Sequence, residues 1–346
     1  MNKIYSQDCN LKSCSRIIWQ DSLRGFAIFL VVFGHFIMRL NCGGYLLVLI
    51  YSFHMPLFFF LSGYNLKELD HNLTVLKIRS LMGPYLIFCG LFFVYQFMEN
   101  IFVGNLSEWL IEVFTQKNMV HTVIMSNKSY FSNYWFLPTL STSYIFFFIF
   151  RKKIHTLYNL FLITLLAASI YVFVIQLNPI SLPLGIGEAI LSLPFICFAK
   201  ILKNNEQNTY YKLELICSII IFCCSQIYTK LYNIPMANMY NSQINSLMLF
   251  WCTSFSSCFI FWYFFSRSKI SNIFYPISIL GQYSLWIYGL HYMIMEIILQ
   301  LHNMYLLVMN KYILLLLSFF YSCVTILLCI LVFNIFSNYK VKPKYK

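Results

Sequence analysis

The sequence predicts an all-α integral membrane protein, a bundle of about ten transmembrane helices with both termini in the cytoplasm. Of the 346 residues 60% are hydrophobic and 10% are charged. Soluble domains have roughly 45–50% apolar and about 25% charged residues. Apolar runs of about twenty residues, the length that crosses the hydrocarbon core, recur along the chain. Lysine and arginine cluster in alternate connections between these runs, which is typical of membrane proteins.

Apolar runs bounded by polar residues give ten predicted spans. They lie near residues 17–40, 45–64, 81–103, 134–150, 157–177, 183–202, 213–230, 246–265, 277–301 and 312–336. We expect one membrane domain over 1–346, with a short cytoplasmic segment at 1–16 and a basic tail at 337–346. The longest loop is predicted at 104–133. No small-residue cleavage pattern follows the first span, so we expect no cleavable signal peptide.

The charge distribution predicts the orientation. The net charge is +13, but the basic residues lie in short clusters between apolar runs. With ten spans and a cytoplasmic N-terminus, 19 of the 24 lysines and arginines fall on the inner side and five on the outer side. This asymmetry follows the positive-inside rule. The charge asymmetry therefore indicates a protein of the plasma (inner) membrane, with the lipid bilayer as its partner. The basic residues are explained without binding to nucleic acid.

The twelve cysteines are scattered, mostly inside apolar runs, and have no spacing typical of metal ligands. We interpret them as small packing residues and expect no metal.

The first span carries three ionisable residues, each of which costs roughly 2.5–3.5 kcal/mol on insertion scales. Asp21 and Arg24 are one turn apart and can pair near the cytoplasmic end. His35 follows Arg24 by eleven residues, so both lie on one face about 16 Å apart along the helix axis. This polar stripe joins the cytoplasmic interface to a histidine in the outer half of the membrane.

Two further spans carry histidines. His54 lies near the middle of the second span. In the ninth span four residues spaced three, four and three apart form a polar stripe on one face: Gly281, Ser284, Tyr288 and His291. Hydrogen-bonded packing between helices is the alternative interpretation of each histidine. Three histidines at similar depth, with Arg24 three turns from one of them, favour a functional site.

Other candidates are less specific. Trp135 is as typical of an interfacial aromatic belt as of a binding site. Two basic clusters, containing Lys77, Arg79 and Arg151, are candidates for binding a phosphate-bearing cofactor. Orientation and anionic lipid alone account for most such clusters.

Four motifs follow one another along the chain. They are Asp21-Ser22-Leu23-Arg24 running on to Gly34-His35, Phe53-His54-Met55-Pro56-Leu57, Tyr134-Trp135-Phe136-Leu137 and Gly281-x-x-Ser284-Leu285-x-Ile287-Tyr288-x-x-His291. Together they resemble the acyltransferase-3 family of membrane O-acyltransferases, in the branch similar to fucose 4-O-acetylase. The family often has two arginines after its second helix, where this chain has Lys77 and Arg79.

The resemblance implies acyl transfer, usually of acetyl from acetyl-CoA, to a sugar hydroxyl of a cell-envelope polysaccharide. O-antigen of lipopolysaccharide, capsule and exopolysaccharide are the acceptors it implies, with another acyl donor as the nearest variant. His35 would act as general base on the hydroxyl or carry the acyl group. Arg24, paired with Asp21, would hold a CoA phosphate or stabilise the developing oxyanion.

The remaining candidates follow from the same resemblance. His54, Ser284, Tyr288 and His291 would shape the acceptor pocket or orient His35. Trp135 would stack on the sugar. The nucleotide end of CoA would be held by three cations: Lys77, Arg79 and Arg151. A polytopic glycan transporter (flippase) or a polysaccharide polymerase is the competing class. A channel or a proton-coupled transporter is disfavoured because no pair of spans shows a broken, repeated pattern.

Overall fold

The described part of the chain is built from helices in the computed structural model. It comprises residues 17–66, 71–111, 132–154, 156–176, 182–205, 211–240, 244, 246–267, 274, 276–305 and 309–340. The predicted cytoplasmic segment 1–16, most of the predicted loop 104–133 and the end of the tail 337–346 lie outside these residues.

The α-helices of the described part follow the predicted spans. They are α1 (Ile18–Arg39), α2 (Tyr45–Tyr51), α3 (His54–Tyr64), α4 (His71–Val103), α5 (Leu106–Ile111), α6 (Phe136–Phe150), α7 (Leu157–Ile170), α8 (Ile186–Asn204), α9 (Tyr211–Leu231), α10 (Leu247–Arg267), α11 (Ser278–Gln282), α12 (Ser284–Tyr305) and α13 (Lys311–Lys340). Short 3₁₀ turns lie at Ser132–Tyr134, Arg151–Lys153 and Pro183–Gly185, and Tyr171–Gln176 continues α7 as a π-helix.

Eight helical segments of the described chain are long and apolar enough to cross a membrane, counting α2 with α3 as one. Two shorter apolar helices, Phe136–Phe150 and Leu157–Phe173, coincide with the fourth and fifth predicted spans. The protein is therefore an all-α, multi-pass membrane protein. The count of ten crossings and the cytoplasmic termini stay predictions.

The third span begins earlier than predicted. Helix α4 starts at His71, ten residues before the predicted start at 81, and continues through Pro84. The residues before 81 include polar and basic side chains that lower the local hydropathy without breaking a helix. Lys77 and Arg79 therefore lie on the first turns of α4 and not in a loop.

Helices α1 and α8 form the centre of the bundle. In the most apolar window of α1, 67% of the residues are buried, and 72% are buried in the window that contains α8. The corresponding share is 17% for both α4 and α9, which face the outside of the bundle. Helix α1 packs against α2, α3 and the four helices from α10 to α13. The polar stripe of α1 is thus enclosed by protein.

Close approach of α1 and α11 depends on two glycines. A methyl group on Gly25 would overlap the backbone oxygen of Ile277, and one on Gly281 would overlap the backbone oxygen of Asp21. Glycine permits such contact between helix backbones, as small residues do generally in membrane bundles. Gly281 therefore fixes the start of α12 beside the Asp21 turn of α1.

The second span is broken directly before His54. Pro56 has no N–H to donate to the carbonyl of Ser52, four residues earlier, so α2 ends and α3 begins at this point. The freed Ser52 oxygen accepts a hydrogen bond of 2.7 Å from Ser254 Oγ of α10. Such replacement partners make a broken helix tolerable inside a membrane protein. The break places His54 in the first turn of a new helix.

Candidate active site

One cavity of about 420 Å³ contains most of the predicted site residues. It lies between α1, α3, α6 and α12, with the segment 237–240 across it. Seven predicted residues line it: Arg24, His35, His54, Trp135, Ser284, Tyr288 and His291. From Arg24 at its inner end to Met38 at its outer end the cavity follows α1 for about 21 Å. The four separate motifs therefore meet at one site.

The inner end carries an ion pair. Arg24 Nη1 donates to Asp21 Oδ1 over 2.8 Å, as their one-turn spacing predicts. The Asp21 side chain is 7% exposed and that of Arg24 is 32% exposed, so the carboxylate is buried and the guanidinium reaches the cavity. Asp21 does not line the cavity. Its role is to hold Arg24 and neutralise its charge where the pair is partly desolvated.

The histidines lie together nearer the outer end of the cavity. The rings of His35 and His291 are stacked, with centroids 5.4 Å apart and planes 24° apart. His54 lines the same cavity within electrostatic reach of His35. The sequence predicted similar depth for these residues, and the fold makes them one cluster.

Hydrogen bonds to the backbone fix the orientation of two of these imidazoles. His54 Nδ1 lies 2.8 Å from the carbonyl oxygen of Ile50. His291 Nδ1 lies 3.0 Å from the oxygen of Ile287 and 2.8 Å from that of Tyr288. A carbonyl oxygen only accepts, so Nδ1 carries the hydrogen in both rings. In its neutral form each imidazole therefore presents Nε2 as an acceptor.

Two buried imidazole nitrogens have no hydrogen-bond partner among the described residues. They are Nδ1 of His35 and Nε2 of His291. A buried polar atom without a partner costs about 1–3 kcal/mol, so such atoms mark places where a ligand or water is expected. With Nε2 of His54, the cluster offers several lone pairs to a hydroxyl group that enters the cavity.

Tyr288 lines the cavity, but its hydroxyl also has a structural role. It accepts a hydrogen bond of 3.3 Å from the N–H of Phe136, and it donates one of 3.4 Å to the oxygen of Asn133. Tyr134 adds a hydrogen bond of 3.1 Å to the oxygen of Gly289. These contacts attach the start of α6 to α12. Tyr288 therefore positions Trp135, which lines the cavity, half-buried, between the two anchored residues.

The three predicted cofactor-binding cations do not line the cavity. Lys77 Nζ lies 5.6 Å from the centroid of the Tyr144 ring. Leu81, one turn after Lys77 on α4, lines the cavity. Arg79 is exposed, and Arg151 packs over the ring of Phe148 while donating to its carbonyl oxygen. Lys77 is thus adjacent to the inner end.

The sequence did not single out several residues at the outer end. Tyr51, Tyr240 and Tyr292 line the cavity. Arg39 Nη2 donates to both carboxylate oxygens of Glu296, at 2.6 and 2.7 Å. The signal in the sequence was that Glu296 is an acid within an apolar span, five residues after His291. Its partner belongs to another span and could not be identified from spacing.

In the described part of the chain no group of three or more His, Cys, Asp or Glu side chains is arranged to hold a metal ion.

Comparison with family models matches residues 17–334 to the acyltransferase domain of the acyltransferase-3 family. The match covers nearly the whole chain and includes every motif from Asp21 to His291. No curated protein and no solved structure matched the chain.

Proposed function

The chain belongs to the acyltransferase-3 family, and on that premise we propose that it is a membrane O-acetyltransferase. It moves an acetyl group from acetyl-CoA to a sugar hydroxyl of a cell-envelope polysaccharide, in the plasma (inner) membrane. The acetyl donor, the polysaccharide acceptor and the fucose 4-O-acetylase-like branch are parts of this proposal. The observation that carries it is a single cavity that joins Arg24, at the end predicted to be cytoplasmic, to three histidines nearer the outer end.

Acetyl-CoA enters the inner end of the cavity in this proposal. A volume of about 420 Å³ suits the thioester arm and a sugar ring, so the nucleotide stays at the cytoplasmic mouth. Lys77 and Arg79, on the first turns of α4, are the cations best placed for its phosphates. Arg151 already contacts Phe148 and would join them from the end of α6.

Arg24 anchors the donor and does not act on the acyl carbonyl. It lies about 16 Å from His35 along the axis of α1. Its guanidinium is turned toward Asp21, one turn further from His35. The two residues therefore act on different parts of the substrates. Of the two roles that the resemblance implies for Arg24, binding a CoA phosphate fits this separation better than oxyanion stabilisation.

The chemical step takes place at the histidines. His35 removes the proton of the acceptor hydroxyl, and the hydroxyl oxygen attacks the acetyl carbonyl carbon. The carbon–sulfur bond of the thioester breaks, and the proton ends on the CoA sulfur. In the alternative order His35 first takes the acetyl group as an acyl-imidazole and then passes it to the hydroxyl, with the same bonds formed and broken overall.

The acceptor binds in the outer half of the cavity. His54 and His291 accept hydrogen bonds from its hydroxyls through Nε2, and the stacking of His291 orients His35. Trp135 presents a ring face to the sugar, while Ser284 and Tyr288 complete the wall. Amphipathic aromatic rings suit a sugar because each sugar face is apolar and its rim is polar.

The proposal is tested by incorporation of labelled acetyl from acetyl-CoA into envelope glycan, using membranes that contain the wild type or a variant. We expect His35→Ala to abolish incorporation at equal protein level, because His35 is the reacting histidine. His302→Ala is the matched control. His302 lies on α12 outside the cavity, hydrogen-bonded to Tyr321, so this variant should keep the wild-type rate.

Two results would contradict the proposal. If wild-type membranes transfer no acetyl group to any host glycan, the proposed O-acetyltransferase activity is ruled out. Transfer of another acyl group, or glycan transport, would then be favoured. Full activity of His35→Ala would leave the family assignment intact and show that the reacting group lies elsewhere.

A further inference from the structure

The outer half of the cavity is lined by four aromatic side chains that each carry an O–H or N–H group. The inner end has Arg24 and Ser62, whereas the outer half has Tyr51, Trp135, Tyr240 and Tyr292 around the histidines. Three of these aromatic residues, at positions 51, 240 and 292, were not among the predicted site residues. Their position on the far side of the histidines from Arg24 indicates a binding surface for the second substrate.

Part of this surface comes from a non-helical segment between α9 and α10. Four consecutive residues of the segment line the cavity: Ala237, Asn238, Met239 and Tyr240. Met239 is only 3% exposed, so the segment is folded into the protein and is not a free loop. Irregular backbone at membrane depth occurs where it is buried in protein or lines a cavity. Connecting segments of this kind often carry specificity.

Tyr240 and Trp135 form an inclined aromatic pair. Their ring centroids are 6.3 Å apart and their planes are 50° apart. Tyr292 lines the same cavity, and its ring lies edge-on to that of His35, with the centroids 6.3 Å apart. Asn238 supplies an amide that both donates and accepts. The surface thus combines two ring faces with hydrogen-bonding groups at their edges.

The charges beside this surface cancel. Both carboxylate oxygens of Glu296 accept hydrogen bonds from Arg39. The ion pair therefore adds no net charge near the outer end. Recognition there depends on stacking and hydrogen bonds, which suits a neutral polyhydroxylated ring better than an ionic group.

We propose that Tyr240, with Asn238 and Trp135, forms the acceptor subsite and that Tyr240 determines which saccharide is bound. The inference rests on the proposed function, because it assigns the saccharide to the outer half of that cavity. The sugar ring lies against Tyr240 and Trp135, and the hydroxyl to be acylated points toward the histidines.

The test uses the purified full chain with acetyl-CoA and envelope polysaccharide freed of its esters by mild alkali. We expect Tyr240→Ala to raise the KM for the polysaccharide about tenfold, the loss that corresponds to one aromatic contact. The KM for acetyl-CoA should stay unchanged, because the donor binds at the opposite end. Tyr240→Phe keeps the ring and should keep most of the affinity.

Tyr232→Ala is the matched control. Tyr232 directly follows α9, close in sequence to Tyr240, but it is 66% exposed, lies outside the cavity and packs against Tyr228. It should change neither KM. The proposal is overturned if Tyr240→Ala behaves like this control, or if it raises the KM for acetyl-CoA as much as that for the polysaccharide. Tyr240→Leu, which keeps an apolar side chain, replaces the alanine variant should that variant fold poorly.

A binding measurement separates the subsite from the catalytic proposal. Saturation-transfer NMR with the same ester-free polysaccharide should show contact with the wild type and reduced contact with Tyr240→Ala. If the wild type binds the polysaccharide through Tyr240 but transfers no acetyl group, the acetyltransferase proposal fails and the subsite stands. Equal binding by both proteins, or binding by neither, overturns the subsite.

Discussion

At the scale of single residues, the backbone determines what the histidines can do. His54 and His291 each use Nδ1 to donate to a carbonyl oxygen of the preceding helical turn. That hydrogen bond fixes the tautomer, and it leaves Nε2 as the atom available to a substrate.

His54 allows the two nitrogens to be tested separately. His54→Asn keeps a donor near the position of Nδ1, which can still reach the oxygen of Ile50, but it has no atom at Nε2. We expect it to fold normally and to lose roughly 2- to 10-fold in acetyl transfer at low acceptor concentration, because one hydrogen bond from an acceptor hydroxyl to Nε2 is missing. His54→Gln places a polar atom near Nε2 and should lose less. Acetyl transfer at matched protein levels measures both.

The order of the two variants is the informative result. Equal activity of His54→Asn and the wild type would show that Nε2 of His54 contacts no substrate. In that case His54 is a packing residue stabilised by its bond to Ile50.

At the scale of helices, the site depends on interruptions and close approaches. The break before His54 and the break at Tyr283, between α11 and α12, each place a site residue at the first position of a new helix. Glycines bring the helix backbones together around these points. A methyl group on Gly63 of α3 would lie 2.6 Å from the Cα atom of Ile196 in α8. The geometry of the cavity therefore rests on backbone contacts.

Gly63→Ala should destabilise the bundle. The added methyl group meets backbone atoms that cannot rotate away, and overpacking of this kind costs typically about 1–3 kcal/mol. Gly90→Ala is the control, because no atom lies within 4 Å of a methyl group added there and alanine favours the helix. Thermal unfolding in detergent should show a lower midpoint for Gly63→Ala alone. An unchanged midpoint would mean that α3 and α8 can move apart without lowering the stability of the protein.

At the scale of the whole molecule, the cavity and the charge distribution share one direction. The inner end of the cavity, with Arg24, lies on the side predicted to carry most of the lysines and arginines. Lys203 and Lys200 lie on that side too, where they donate to the oxygens of Tyr64 and Leu66 at the end of α3. The charge distribution therefore favours an orientation in which the inner end of the cavity, which contains Arg24, faces the cytoplasm.

This direction predicts a sided reaction. Acetyl-CoA added to sealed inside-out vesicles should label the enclosed glycan, whereas right-side-out vesicles should show little labelling, because CoA does not cross the bilayer. Vesicles that contain His35→Ala should show no labelling in either orientation. Equal labelling of both kinds of intact vesicle would contradict the predicted orientation.

Most of the fold follows from the sequence because hydropathy acts locally. Each predicted span corresponds to one helix or to two helices separated by a short break, and the shared face of Arg24 and His35 follows from the helical repeat alone. The early start of α4 was missed because polarity shortens an apolar run but does not end a helix. Arg39 and Glu296 lie 257 residues apart in sequence, and Tyr240 lies in a connection, so only tertiary packing brings them to the site.

The length of the cavity has an electrical consequence under the proposed function. A membrane voltage falls across the same hydrocarbon core, and one charge moved through 100 mV corresponds to about 2.3 kcal/mol. When the thioester breaks, the acetyl group moves outward as the formal equivalent of an acylium cation and carries one positive charge. Movement of the hydroxyl proton inward to the CoA sulfur carries one positive charge in the opposite direction and balances it. A cavity that conducts this proton past the histidines makes each acetylation electroneutral. If the proton were released to the outer medium instead, each turnover would move one net positive charge outward, which an inside-negative membrane voltage opposes.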